Sequence, residues 1–331
     1  MTRMTIEQAI HQALAEEMQR DERVLLMGEG VATKRRDLVQ DFGVARVRNT
    51  PLAEAIIAGT AVGAAASGLR PVIDLLFAPF LTYAMDALVN SAGKLRYLSG
   101  GQFDFPLVAM SMTGSGWCVG AHHNHNLEAM FVHVPGLKVV MPSTPADFKG
   151  LLKAAIRDDN PVLFFTDLAL LHQEGEVPDA ADHLVPLGQA AVRRTGSDVT
   201  LVSYAKTVEV CLQAAAQLQA QGIAAEVIDL RTLKPLDEAT VLASVRKTGR
   251  LVIVTEASGL CGMAAELAAL AATRAFDTLR APVVRLTGPD APGASSWVLE
   301  QAALPTVETV VHAVQGMVVK TAVEPEALVA S

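Results

Sequence analysis

His122, His123 and His125 crowd one short loop, and four of the eight histidines lie between 122 and 133. The loop, TGSGWCVGAHHNHNLE, follows an apolar run at Leu107 to Met110 that reads as a strand. In parallel sheets ligands collect beyond strand C-termini, where an imidazole can move protons. A metal site is the rival reading. Adjacent histidines diverge, however, and no HExxH or equivalent spacing supplies further ligands. Imidazoles bonding only to loop backbone are the third reading. A second candidate is Glu54, in NTPLAEAIIAGTAVGAAASGLRP (49–71). It heads a helix that is otherwise small and apolar on every side, a pattern expected of a buried helix. A buried carboxylate must find a partner or keep a proton. The alternative is an acid stabilised only by the helix N-terminus.

These residues need elements to hold them. Thr5 and Gln8 form a capping box before the apolar stripe Ile6, Ile10, Ala13 and Leu14. Strands are expected at 24–27, 71–77, 107–110, 137–141 and 161–165. Helices are expected from Glu54, over about Phe80 to Ser91, and from Thr144-Pro145, where the proline suits the first helical turn. After a polar stretch at about His172 to Pro186, strands at 199–203, 224–228, 250–254 and 282–286 alternate with helices at 207–220, 237–247 and 262–274. Apolar strands alternating with helices indicate parallel α/β units. The expected fold is two doubly wound α/β domains, residues 1–185 and 186–331.

Composition narrows the function. The chain has 331 residues, 51% hydrophobic and 19% charged, enough for two cores. A net charge of −8 without a long basic run argues against nucleic acid. Cys118, Cys211 and Cys261 form no CxxC, so neither a disulfide framework nor a thiolate zinc site is expected. No run is long and apolar enough for a bilayer, and the N-terminus has no signal-peptide core; no membrane partner is expected and the cytoplasm is the expected location. Gly259-Leu260-Cys261-Gly262 precedes a helix and could cradle a phosphate, but it lacks the dinucleotide fingerprint and reads as tight strand-to-helix packing. There is no GxxxxGK[ST], GxSxG or Rossmann GxGxxG with its downstream acid.

Read in order, GEG (28–30), NTPLAE (49–54), GLRPV (68–72), Asp86-x-x-x-Asn90, KLRYLSGGQ (94–102), GAHHNHNLEA (120–129), HVPGLKVVMPSTPAD (133–147), AAIRDDNPV (154–162), EVIDLRTLKPLD (226–237) and VRKTGRLVIVTEA (245–257) cover nearly the whole chain. This set closely resembles the β subunit of the E1 component of 2-oxoacid dehydrogenase complexes, including acetoin dehydrogenases. The resemblance implies a thiamine-diphosphate pyrimidine-binding domain followed by a transketolase C-terminal-type domain. It implies an E1 α partner in an α2β2 heterotetramer, which holds Mg2+ and the diphosphate through a Gly-Asp-Gly motif. That motif is missing here. It further implies decarboxylation of a 2-oxo acid, or cleavage of acetoin, with acyl transfer to the lipoamide of an E2 partner.

The resemblance also assigns residues. Glu54 would bond N1′ of the aminopyrimidine and share a proton there, favouring the imino tautomer that can deprotonate the thiazolium. Glu29 would support Glu54 and the cofactor, and Phe80 would pack on the pyrimidine or simply in the core. His123 would move protons at the site's mouth during transfer to the lipoyl arm. Ala155, Asp158 and Asn160 match a potassium loop at a helix C-terminus.

This chain departs from the family in several places. His-Ser-Gln is replaced by His123-Asn124-His125, preceded by His122 where the family usually has Gln. A Gly- and Tyr-rich loop is shortened to Ala32-Thr33-Lys34-Arg35-Arg36, and Asp-Thr-Pro becomes Asn49-Thr50-Pro51. A Pro-rich segment becomes APGASSWVLE (291–300). Such changes point to an altered pocket, for an unusual 2-oxo acid or acyloin. Two other readings stand beside this one: a split transketolase-like ketol transferase, and a non-catalytic scaffold subunit. The survival of Glu54 and His123 counts against the scaffold.

Overall fold

The apolar strands and intervening helices assemble into two units in the computed structural model, which describes residues 1–321. The strands, in chain order, are β1 (Thr2–Thr5), β2 (Val24–Gly28), β3 (Val47–Asn49), β4 (Arg70–Phe77), β5 (Val108–Thr113), β6 (Lys138–Val140), β7 (Val162–Asp167), β8 (Glu174–Val177), β9 (Ala191–Arg194), β10 (Val199–Ser203), β11 (Ala225–Asp229), β12 (Thr232–Lys234), β13 (Leu251–Ser258) and β14 (Val284–Gly288).

The first unit comprises Met1–Gln189 with two later returns of the chain, Arg231–Pro235 and Pro292–Trp297. The expected boundary at 185/186 anticipates neither return. Its sheet runs β12-β6-β7-β5-β4-β2-β3, parallel throughout except for the antiparallel edge pair β12–β6. Gly28 stands opposite both Asn49 and Asp74, and Asp74 stands opposite Met110. The C-terminal ends of β3, β2, β4 and β5 therefore share one sheet edge. The second unit holds the sheet β14-β13-β10-β11-β9, with only β9 antiparallel. Its core packs Val199, Leu201, Val227 and Val252 against Ala214, Ala215 and Leu218 of the helix Thr207–Gln219.

Most expected elements are present within a few residues. The strands that sequence reading misses are short or edge pieces: β1 and β8, which pair only with each other, together with β3, β9 and β12. An edge strand does not need the all-apolar run that marks a buried one. β8 lies inside the polar stretch expected to be loose.

Two helices need correction. The segment expected as one α-helix near Phe80 to Ser91 is a 3-10 helix at Ala78–Ala84, a π-helix at Asp86–Ala92 and an α-helix at Gly93–Leu98. Hydrogen bonds Asn90 Nδ2 to Asp86 Oδ1 (2.8 Å) and Lys94 Nζ to Asn90 Oδ1 (2.7 Å) bridge its turns. The helix Glu54–Ala66 is not buried all round. Ile57, Ala58, Ala61, Val62 and Ala65 face the core, while Ala55, Ile56, Gly59, Thr60, Gly63 and Ala66 are exposed. Its outer face is largely apolar, and among the described residues no element covers it.

The capping box forms as expected, with Thr5 N–H donating to Gln8 Oε1 (2.8 Å) and Gln8 N–H to Thr5 Oγ1 (3.2 Å). It starts the helix Ile6–Arg20, which packs along Pro145–Arg157 through buried ions. Lys149 and Lys153, whose side chains are 0% exposed, bind the two oxygens of Glu16 at 2.8 and 2.5 Å. Beside them the buried Glu17 takes Arg157 (2.6 Å) and Arg20 (2.7 Å). Two ammonium groups out of water depend on one carboxylate. Glu16→Gln is therefore expected to cost about 3–5 kcal/mol in urea unfolding. Glu174→Gln, which breaks the exposed pair with Arg3, should cost no more than about 1 kcal/mol. Equal small effects would show that Glu16 is not the counter-ion on which both lysines rely.

Candidate active site

The site begins at a close approach of two strands. A Cβ at residue 28 would lie 2.4 Å from Asp74 O and 2.9 Å from Val31 Cγ2, so only glycine lets β2 lie against β4 here. The chain leaves β2 for β3 on one side and returns to β4 on the other. This is a topological switch point, the place in an open α/β sheet where a crevice forms.

Glu29 follows directly after β2. The shortened loop beyond it is tied down by Asn49, whose Oδ1 accepts from Ala32 N–H (2.7 Å) and whose Nδ2 donates to Thr33 Oγ1 (3.3 Å). Thr50 N–H donates to Gly28 O (3.0 Å), while Thr50 Oγ1 is buried with no hydrogen-bond partner. Four residues on, Glu54 opens its helix. Ala53 offers no side-chain cap.

Glu29 and Glu54 are both half-buried, and neither carboxylate has a hydrogen-bond or ion-pair partner among the described residues. The sequence reading left Glu54 either buried with a partner or a proton, or stabilised only by the helix N-terminus. In the single chain it opens the helix half-buried, between Leu52 and Ile56, 68% and 70% exposed.

The histidine loop lies at the same sheet edge. Thr113, the last residue of β5, anchors it by donating to His125 O (3.1 Å) and Asn126 Oδ1 (2.8 Å). His123 N–H closes a turn onto Gly120 O (3.2 Å). The loop separates its histidines: His122 and His125 are exposed, and only His123 is partly buried.

His123 meets two aromatic rings edge-on, Phe77 at 4.9 Å between centroids and Phe80 at 5.4 Å, and these two phenyl rings lie 5.9 Å apart. Phe77 reaches His123 because β4 bulges between Asp74 and Phe77. Within the bulge Leu76 adopts φ 58°, its N–H held by Asp74 Oδ1 at 3.0 Å. A left-handed leucine is costly and is sustained here by that bond and the surrounding strands. Sequence reading names Phe80 and His123 but misses Phe77, because no glycine marks the bulge.

The loop expected to bind potassium lies at the end of the helix Pro145–Arg157. Arg70 donates to Ile156 O (3.0 Å) and Asp158 O (3.1 Å), and Arg96 donates to Asn160 Oδ1 (2.9 Å). Asp158 pairs with Lys138 and accepts from Asn160 N–H and Nδ2, each at 2.9 Å. Its charge is thus already matched, and Ala155 O accepts from Asp158 N–H (3.3 Å). No described helix is long and apolar enough to cross a membrane.

Comparison with known proteins gives the family of the fold. Residues 2–173 match the transketolase pyrimidine-binding domain and residues 188–310 the transketolase C-terminal domain. The chain is 45% identical over 326 residues to the pyruvate dehydrogenase E1 component subunit beta of Rhizobium meliloti (strain 1021), covering 97% of this chain and 71% of that one.

The chain belongs to the E1 β-subunit family.

It is also 42% identical to the acetoin:2,6-dichlorophenolindophenol oxidoreductase subunit beta of Bacillus subtilis (strain 168), over 93% of this chain and 95% of that one. Among solved structures it is similar to a split-gene transketolase in an inactive β4 tetramer, with a TM-score of 0.79, 25% identity and coverage of 96% and 98%. The two α/β units expected from the strand and helix pattern are those of the family. The 155–160 loop gives a pH test of this E1 β fold. Burial pushes the Asp158 carboxyl up, but hydrogen bonds from Lys138 and from the Asn160 side chain and backbone outweigh it, so it titrates below the ordinary carboxylate range. A depressed carboxylate contributes stability above its unfolded value, near 3.9, and that stability is lost as pH falls through its folded value. Asp158→Asn should therefore lower the Tm at pH 7, and the gap from wild type should close as the pH falls below the ordinary carboxylate range and through the folded-state value of Asp158. A gap of constant size across that range would contradict the assignment.

Proposed function

We propose that this chain is the β half of a thiamine-diphosphate-dependent E1 enzyme that acts on a 2-oxo acid or on acetoin and passes the acyl group to the lipoamide of an E2 component. One observation carries the reading: two half-buried carboxylates without partners among the described residues, Glu29 and Glu54, stand at the switch point of the sheet that also presents His123 at its C-terminal edge. A carboxyl group and an aminopyrimidine ring nitrogen are complementary proton-sharing groups. The buried, partnerless Thr50 Oγ1 is a further polar atom at the same edge. The residues present thus fit the pyrimidine half of the cofactor.

Bound there, thiamine diphosphate would supply the carbon nucleophile for cleavage next to the substrate carbonyl. Glu54 holds a proton against N1′, and Glu29 supports that arrangement. Phe80 gives the ring an apolar wall and, with Phe77, fixes the imidazole plane of His123. His123, at the mouth of the site, would donate the proton that a lipoyl sulfur takes up as the acyl group is transferred to the lipoyl arm.

The rest of the site comes from an α chain, which holds the diphosphate and Mg2+, in an α2β2 assembly. The outer face of the helix Glu54–Ala66 supports such a partner. A Cβ at Gly59 or Gly63 would meet nothing within 4 Å, so another backbone can come close, and Leu52 and Ile56 flank the approach. A potassium ion at Ala155, Asp158 and Asn160 would bind through carbonyls. A Tm that rises in KCl but not in equimolar NaCl would support it, and equal values would remove it.

The likeness to a split transketolase favours a second reading, ketol transfer to a sugar, which activity with an aldose acceptor would reveal. In the enzyme reconstituted with its α chain, Glu54→Ala should lower turnover by about 100-fold or more. His123→Ala should slow reductive acylation of lipoamide by about 10- to 1000-fold while leaving cofactor affinity within about threefold. Unchanged turnover in Glu54→Ala would favour a scaffold. Equal losses of acylation and cofactor affinity in His123→Ala would contradict its role.

A further inference from the structure

The segment Pro292–Trp297 lies more than 160 residues from the histidine loop in sequence, yet it belongs to the same unit. Two contacts join them. A Cβ at residue 293 would fall 1.7 Å from Asn124 Oδ1, 2.4 Å from its Cγ and 2.6 Å from its Nδ2. A Cβ at Gly120 would fall 2.5 Å from Ser295 Oγ. Asn124 is only 6% exposed, so its amide occupies the space that glycine leaves at 293. Gly120 is the residue onto which His123 N–H closes its turn. The segment therefore touches the loop immediately before and immediately after the turn that carries His123.

We propose that 292–297 is a strap that positions His123, and that Asn124 and Gly293 form a matched pair in which the side chain of one requires the absence of a side chain on the other. Glycine at 293 leaves room for the buried Asn124 amide. Interiors are packed closely enough that a change at one position must be met at its neighbour. Asn124 acts here as a positioning residue: it holds the loop while the Phe77 and Phe80 rings hold the imidazole. Small displacements of a catalytic group are enough to cost about 100-fold in rate. The proposal rests on the role given to His123 above, but its geometry can be read without catalysis.

A double-mutant cycle of Gly293→Ala and Asn124→Ser tests it. Gly293 does not adopt a positive φ, so alanine brings no backbone strain and adds only the methyl group that meets Asn124. Two quantities are read in each variant. One is the NMR chemical shift and pH titration of the His123 ring protons in the chain, with and without its α partner. The other is the single-turnover rate of lipoamide acylation by the assembled enzyme. Gly293→Ala is expected to move the His123 resonance and slow acylation by about 10- to 100-fold, with cofactor affinity held within about threefold. Adding Asn124→Ser should return both readouts to within about threefold of wild type, a rescue that independent sites do not show.

Additive effects, or an unmoved His123 resonance in Gly293→Ala, would overturn the proposal. If Gly293→Ala fails to fold, Asn124→Ser alone must still shift the His123 titration, and an unchanged titration overturns it as well. A resonance that moves and is rescued in a protein inactive on 2-oxo acids and acetoin would uphold the strap and reject the proposed function instead.

Discussion

Everything proposed for this chain depends on how closely β2 lies against β4. The contact at Gly28 leaves no room for even one methyl group, and it brings Gly28 level with both Asn49 and Asp74. A one-residue slip in either pairing would turn Glu29 and the bulge of β4 to the wrong faces. With the register held, the chain must turn outward at Glu29, cross back through Thr50 to Glu54, and present Phe77 beyond Asp74. The candidate acid, its supporting acid and the histidine wall are thus set by one backbone contact.

The second constraint is an imbalance within the single chain. Carboxylates that are half withdrawn from water and lack partners are costly, as is an apolar helix face left in solvent. Both meet around Glu54, where Leu52, Ile56, Gly59 and Gly63 are exposed on the same short segment. One covering chain would relieve both costs, burying the apolar face and leaving the carboxylates toward an enclosed ligand. By contrast, the buried ions joining the first and seventh strands' flanking helices, Glu16 and Glu17 with Lys149, Lys153 and Arg157, are satisfied inside the unit and serve the scaffold.

Much of this was legible from residue order alone. Alternating apolar strands and helices announce both sheets because parallel strands are buried on two faces and cannot hide their pattern. Glu54 is conspicuous because no other charge interrupts its helix, and His123 because glycines and histidines crowd its loop. What stayed hidden depends on tertiary contact. Phe77 reaches His123 only through a left-handed leucine that no propensity would place there. The π-helical turns at Asp86–Ala92 have no sequence mark. The exposure of Ile56 and Gly59 could not be read because an all-apolar helix looks the same whether its own chain or another chain covers it. Gly293 has no meaning until Asn124 is seen beside it.

The central claim is that this chain holds only half of a cofactor site, and the most direct measurement is calorimetric titration of thiamine diphosphate with Mg2+. The titration is run on this chain, on its α partner and on the reconstituted pair. A shared site requires saturable binding by the pair and none by either chain alone. Binding by this chain alone would place the whole diphosphate site within it, and absence of binding by the pair would make it a scaffold; either result contradicts the claim.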